Sequence, residues 1–330
     1  MKKLLALLVV LVTGTGFAAH HLGYLGRWIG QARVEVTPKD SQILGYFPAD
    51  ARGLVGIQVP LARVPGKAGE RLRDLARDLE DVSGVRVGFD VDTLVGDADI
   101  QVARGRFDWK KMSERLEANG YQITNESYRP LAVRKDGDAL AIDDDYLIHG
   151  QFEPVKAALD RKSSKTGATA KSRIATDLDA IGWNHAAFGV VRLADEGTSI
   201  AQVLKGQEPL RAVGASIDTT DTRYVIVTTV RASSSGSASE IASEAEKMKK
   251  TALEELAKNT DPDAARVKAV LESLQIKADG PIVRLGLTVP SELVDRGIDR
   301  SQEIRGQLGG AMAGAAMSSL NSVLSSLMKR

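Results

Sequence analysis

The sequence predicts an α+β protein of two modules, each a mainly antiparallel sheet with helices packed on one face, followed by a C-terminal helix. Three observations predict it. Short runs alternate apolar and polar residues, as in Val55, Ile57, Val59 and in Val283, Leu285, Leu287, Val289, the period of a half-buried strand. Between them lie stretches with apolar residues at helical spacing, such as Leu72, Leu75, Leu79 and Val82. Turn signals such as Asp136-Gly137 join neighbouring strand runs too tightly for parallel crossovers.

In chain order, residues 27–46 read as a tether into a first module over 47–161. Gly53 to Val59 is a strand that Pro60 ends, and Val64 to Val82 is a helix stopped by Ser83-Gly84. Asp99 to Ala103 is a strand. Asp108 is placed to cap a short helix that turns Trp109, Met112 and Leu116 inward and closes at Asn119-Gly120. A β-meander follows through Tyr121, Ile123, Leu131, Val133, Leu140, Ile142 and Leu147. Asp136-Gly137 is read as a two-residue type I′ turn in it, and Asp143-Asp144-Asp145 as the next turn. Phe152, Val155 and Leu159 mark a helix ending near Arg161. Residues 162–176 are basic and small, and read as a surface linker or an ordered loop.

The second module, 177–290, opens with a strand from Ala186 to Leu193 and a short helix around Ile200 to Leu204. Strands through Val213, Ala215, Ile217 and from Tyr224 to Arg231 follow. After a Ser/Gly stretch, Ser237-Ala238-Ser239-Glu240 has the form of a capping box for a helix to about Lys258. Asp261-Pro262 opens a second helix, and the last strand carries Val283 to Val289.

The N-terminus has the three parts of an export leader within residues 1–26. Lys2 and Lys3 precede an uncharged apolar run carrying Leu4, Leu5, Leu7, Leu8, Val9, Val10, Leu11, Val12 and Phe17. Gly16 and Ala18 are the small residues of a cut after Ala18. The uncharged stretch to Gly26 is also long enough, as a helix, to cross a hydrocarbon core of about 30 Å, so removal and retention as an inner-membrane anchor are both open. Either address is the periplasmic side of a bacterial envelope, or secretion. At the other end, within 291–330, Gly306 to Met328 has no charged residue. Gly306, Gly310, Gly314 and Ser318 form a ridge of small residues on a helix, which lets a second backbone approach. Its candidate contacts are the protein's own body, a partner or second copy, or a membrane.

Composition narrows the chemistry. A net charge of +1, from 44 basic and 43 acidic residues, gives no electrostatic footprint for nucleic acid. With no cysteine there is no disulfide, thiolate metal site, Cys nucleophile or lipoprotein anchor. His149 and His185 have no neighbour at ligand spacing, and Asp90, Asp92, Asp97 and Asp99 miss the calcium-loop pattern because Leu94 and Gln101 stand where ligands belong. No catalytic residue, cofactor or metal site is predicted.

The segment Phe47-Pro48-Ala49-Asp50-Ala51 before a strand, Gly105-Arg106-Phe107-Asp108 before a helix, and the Asp-Gly hairpin leading to Ala157-Ala158-Leu159-Asp160-Arg161 are similar to uncharacterised bacterial exported proteins with a repeated α+β module. The resemblance implies an envelope address and no activity. The expected function is a non-catalytic binding or assembly module, with a periplasmic carrier for an apolar ligand and a carboxylate-using hydrolase as alternatives.

Overall fold

The computed structural model describes residues 40–59, 70, 76–77, 80–126, 129–183, 185–193, 210–220, 222–258 and 262–295. The expected export leader and the 306–328 segment lie outside the described residues, as do the expected helix at Ile200–Leu204 and most of that at Val64–Val82.

One twelve-stranded antiparallel sheet organises the rest. Its strands are β1 (Gly53–Gln58), β2 (Val91–Gly96), β3 (Ile100–Gly105), β4 (Tyr121–Glu126), β5 (Arg129–Arg134), β6 (Asp138–Asp143), β7 (Tyr146–Gln151), β8 (Ala187–Arg192), β9 (Leu210–Thr219), β10 (Arg223–Ala232), β11 (Gln275–Asp279) and β12 (Ile282–Pro290). Their spatial order is β11-β12-β10-β9-β8-β1-β2-β3-β7-β6-β5-β4. In the first half β1, β2 and β3 pair in succession, helix α1 (Trp109–Ala118) intervenes, and β4 to β7 return until β7 lies beside β3. In the second half β8, β9 and β10 pair in succession, helices α4 (Ser235–Leu256) and α5 (Pro262–Glu272) intervene, and β12 returns beside β10. The first strands of the two halves pair with each other, Leu54 opposite Val190 and Gly56 opposite Phe188.

The alternation of side chains across the pleat gives the sheet two buried faces. On one, Tyr146 and Ile148 of β7 and Phe188 and Val190 of β8 meet helices α2 (Phe152–Ser164) and α3 (Arg173–Ile181) through Val155, Leu159, Ile174 and Leu178. On the other, Leu147 and Ala187 face Met112 and Leu116 of α1. Helices α4 and α5 share that second face: on β12, Val283 and Leu285 pack with Ala238 and Ala245, and Val289, of the same parity, packs in the α1 cluster.

The α+β class with an antiparallel sheet is what the sequence predicts, but the helices cover both faces rather than one. The reason is visible in β1, where Leu54 faces one core and Ile57 the other, so neither face can be left in water. The expected linker 162–176 is ordered. α2 runs on to Ser164 and ends on Lys165 in the left-handed region, Gly167 bridges Pro48, and Ala168 donates to the carbonyl of Phe47 at 2.9 Å. α3 then begins at Arg173, burying Ile174, Ala175, Leu178 and Ile181. The expected tether also ends earlier than 46. Asp40–Tyr46 is a 3-10 helix whose Ile43, Leu44 and Tyr46 are fully buried.

Three local readings change as well. The long helix is capped not at Ser237 but at Ser234, whose hydroxyl accepts from the Ser237 N–H at 3.1 Å. Asp136-Gly137 belongs to a three-residue connection in which only Gly137 takes positive φ, at 88°. Strands β2 and β11 have no counterpart among the expected elements. Asp108 does cap α1, its Oδ1 accepting from the Lys111 N–H at 3.3 Å, and Gly120 follows at φ 86°.

Gly56 and Gly167 are required by close approach. A Cβ at Gly56 would enter the Phe188 ring, and one at Gly167 would meet the Gly45 carbonyl. Gly56→Val is therefore expected to destabilise the protein by about 1–3 kcal/mol through overpacking, read as a lower urea midpoint with unchanged slope. An unchanged midpoint would show that the two halves tolerate a wider junction.

Candidate functional site

A cleft of about 230 Å³ opens beside the N-terminus of α1, lined by Gly84, Val85, Arg86, Asp90, Arg106, Phe107, Asp108, Lys111 and Met112. Local structure builds it. Gly84, at φ 76°, ends the helical residues 80–83, and a single helical turn, Val87–Asp90, carries the chain into β2. On the other side β3 ends at Gly105, whose successor Arg106 donates its N–H to the Asp90 carbonyl at 2.7 Å, and Asp108 starts α1.

Three cations and two carboxylates line the cleft. Arg86 grips Asp90 with its Nε at 3.2 Å and a terminal nitrogen at 3.0 Å. Burial pushes the Asp90 carboxyl up, but the side-chain and backbone hydrogen bonds from Arg86, and the charges of Arg86 and Arg106, outweigh it and hold the group below its usual range. Lys111 pairs with Asp108 at 3.5 Å. Arg106 is exposed and closes no ion pair among the described residues, so one positive charge is uncompensated. Val85, Phe107 and Met112 give the cleft an apolar floor, and Phe89, 53% exposed, stands nearby under the Arg86 guanidinium at 5.4 Å. The arrangement receives a small anionic group carrying an apolar part.

The other titratable clusters are closed on themselves. Buried Asp143 pairs with Arg129 and accepts from the Tyr46 hydroxyl at 2.9 Å. Buried Asp177 of α3 lies 2.5 Å from Arg231 and 3.7 Å from Arg192, tying the helix to β8 and β10. Asp138 contacts the Tyr121 hydroxyl and, at 2.9 Å, His149 Nε2. Burial raises the Asp138 carboxyl, and His149, Tyr121 and Arg134 together lower it further than burial raises it. Lys162 sits over the rings of Tyr46 and Tyr146, at 4.8 and 5.3 Å, and donates to the Gln42 carbonyl at 2.7 Å. Burial, and then the charge of Arg129, push its ammonium below the usual lysine value. Asp97 goes the other way: burial raises its carboxyl although the N–H groups of Asp99 and Ile100 donate to it.

Leu4 to Phe17, Ala18, Gly306, Gly310, Gly314 and Ser318 lie outside the described residues. His149 and His185 each engage one carboxylate, Asp138 and Asp218. No group of three or more metal-ligating side chains occurs among the described residues. The same residues contain no helix long and apolar enough to cross a membrane. The cleft residues Arg106, Phe107 and Asp108 stand in the stretch that marks the start of α1. Their shared opening with Arg86 and Asp90 has no signature in the spacing.

Neither a protein-family model nor a curated protein matches the sequence. Among solved structures, crystal form I of TP0453 is distantly similar, with a TM-score of 0.44 and 11% identity over 81% of this chain and 98% of that one. Crystal form III of TP0453 compares at a TM-score of 0.45 and 10% identity, over 80% and 98% of the two chains.

Two outcomes follow from the charge clusters. Asp177→Ala withdraws the carboxylate from two arginines and is expected to cost about 3–5 kcal/mol in urea unfolding. Asp138, held low when folded, stabilises the protein above the unfolded carboxyl value of about 3.9, and that contribution is lost as pH falls through the folded value. Asp138→Asn should therefore unfold at lower urea than the parent at pH 7, with the gap closing in strong acid. A gap independent of pH would mean that the charge of Asp138 is not what stabilises.

Proposed function

We propose that the protein is a non-catalytic binding module of a bacterial envelope, and that the cleft at the start of α1 takes the anionic end of its ligand. The observation that carries this reading is Arg106, an uncompensated cation on a cleft whose other charges are paired and whose floor is apolar. An anion there gains a charge-assisted partner without breaking an existing pair. At about 230 Å³ the space suits an end group or a small molecule rather than a large substrate.

The closed state of the buried carboxylates supports binding over hydrolysis. Acid–base work needs a carboxyl of raised pKa facing open space. Asp138 is held low by His149, Tyr121 and Arg134, Asp90 by Arg86 and Arg106, and Asp97, which is raised, is occupied by two backbone N–H groups. The envelope address rests on Lys2, Lys3 and the run from Leu4 to Phe17. The recurrence of one strand path in both halves supports the reading of a repeated α+β module. The small-residue row Gly306, Gly310, Gly314, Ser318 is the proposed contact for a second copy or a protein partner.

Benzoate and phenyl phosphate are suitable calorimetric probes. The parent should bind at least one of them, and Arg106→Ala should weaken that binding about tenfold or more, equivalent to about 1.4 kcal/mol. If neither anion binds the parent, or Arg106→Ala binds like the parent, the cleft is not the site. Fractionation of tagged protein with N-terminal sequencing checks the address, and intact chain beginning at Met1 and free in cytosol would overturn it.

A further inference from the structure

A second polar feature crosses the α2–α3 face of the sheet and does not belong to the cleft. The pairing register places Gln58 of β1 opposite Thr93 of β2, Arg104 of β3 opposite both Thr93 and Tyr146 of β7, and Tyr146 opposite Asp143 of β6. Directly opposed residues share a face, so these side chains form one row, which Arg129 of β5 extends by pairing with Asp143. The Asp143 half is closed by Tyr46, Arg129 and the stacked Lys162. The Gln58 half ends differently.

There, hydrogen bonds run in one direction. Arg104 has only donors, and one terminal nitrogen donates to Thr93 Oγ1 at 3.4 Å. The Thr93 hydroxyl then donates to Gln58 Oε1 at 2.7 Å. This order fixes the amide: flipping it would leave the Thr93 proton without an acceptor. The chain therefore terminates on Gln58 Nε2, which has no acceptor although Gln58 is only 2% exposed and Thr93 1%. Buried N–H donors are almost always satisfied, and one left at the end of an ordered chain calls for an acceptor oxygen. Arg104 is half-buried and carries the corner to the surface.

We propose that the Gln58–Thr93–Arg104 corner is a binding subsite for a carboxylate, one oxygen accepting from Gln58 Nε2 and the other from the Arg104 guanidinium. The polarity of the chain selects this chemistry: the corner ends in donors beside a cation, which suits an anion with two acceptor oxygens and excludes an ammonium, which has no acceptor. The site is independent of the Arg106 cleft, which lies on the α1 face.

The test is NMR of the full chain carrying [15N]glutamine, titrated with acetate, with decanoate and with methyl decanoate. The expected result is a saturable shift of the Gln58 side-chain amide with acetate, decanoate or both, and none with the ester. Acetate as the stronger ligand means a free small acid, and decanoate an acyl chain. Gln58→Leu should reduce the affinity of the effective acid about tenfold or more. Should that variant not fold, the near-isosteric Gln58→Glu should fold and reject the acid at pH 7. The proposal is overturned if neither acid shifts the amide while it exchanges with water, if the ester binds as well as the acid, or if both folded variants bind like the parent. Since Arg106→Ala leaves this corner intact, loss of the cleft reading and loss of this one are separable.

Discussion

The antiparallel ladder between β1 and β8 is the constraint on which the rest of this structure depends. It runs from Gly53–Val191 to Ile57–Ala187 and joins two halves whose strands otherwise pair only among themselves. Its spacing is set by Gly56, across which the Phe188 ring lies, and Phe188 in turn packs against Trp183 at 5.5 Å between ring centres. Because β1 is thereby central and buried on both faces, helices must cover both sides of the sheet. The segment from Lys165 to Arg173 is pulled into that cover, and so is the 3-10 helix Asp40–Tyr46. Burial of Ile43, Leu44, Tyr46 and Phe47 makes that segment part of the core.

Charge is used in this fold in two ways. Where carboxylates are buried, arginines, a histidine and tyrosines close around them, which limits the penalty of taking them from water and fixes which helix meets which strand. Asp177 shows this best, since it stands on α3 and reaches arginines on β8 and β10. Where β2 begins and β3 ends the balance is left open. Arg106 on one side of the sheet closes no ion pair among the described residues, and on the other the Arg104–Thr93–Gln58 chain ends in an unaccepted donor. Both openings come from the same short stretch of β3, where the sheet stops and α1 begins, so the two proposed binding features share a structural origin without sharing residues.

Much of the secondary structure was legible because it rests on local chemistry. Asp108 and Asn119-Gly120 bound α1 as their types demand, and the alternation in Val283 to Val289 is that of β12. Errors fell where local signals were weak or duplicated. The serine run offered two caps at the same spacing, and the helix starts from Ser234 because its hydroxyl reaches the Ser237 N–H. The apolar face of α3 was present in Ile174, Ala175, Leu178 and Ile181, but basic and small residues before it masked the start. β2 hid among aspartates, of which Asp92 points to solvent while Thr93 and Val95 are buried.

The sequence by itself determined the α+β class, the antiparallel pairing of neighbouring strands and the ends of most helices, because each depends on residues a few positions apart. Only the tertiary structure decided that the two halves share one sheet, that both its faces are covered, that Arg86 and Arg106 line one cleft, and that Thr93 links Gln58 to Arg104. Those juxtapositions depend on strand order and register between distant segments, and a linear pattern of residue types carries no record of which strand lies beside which.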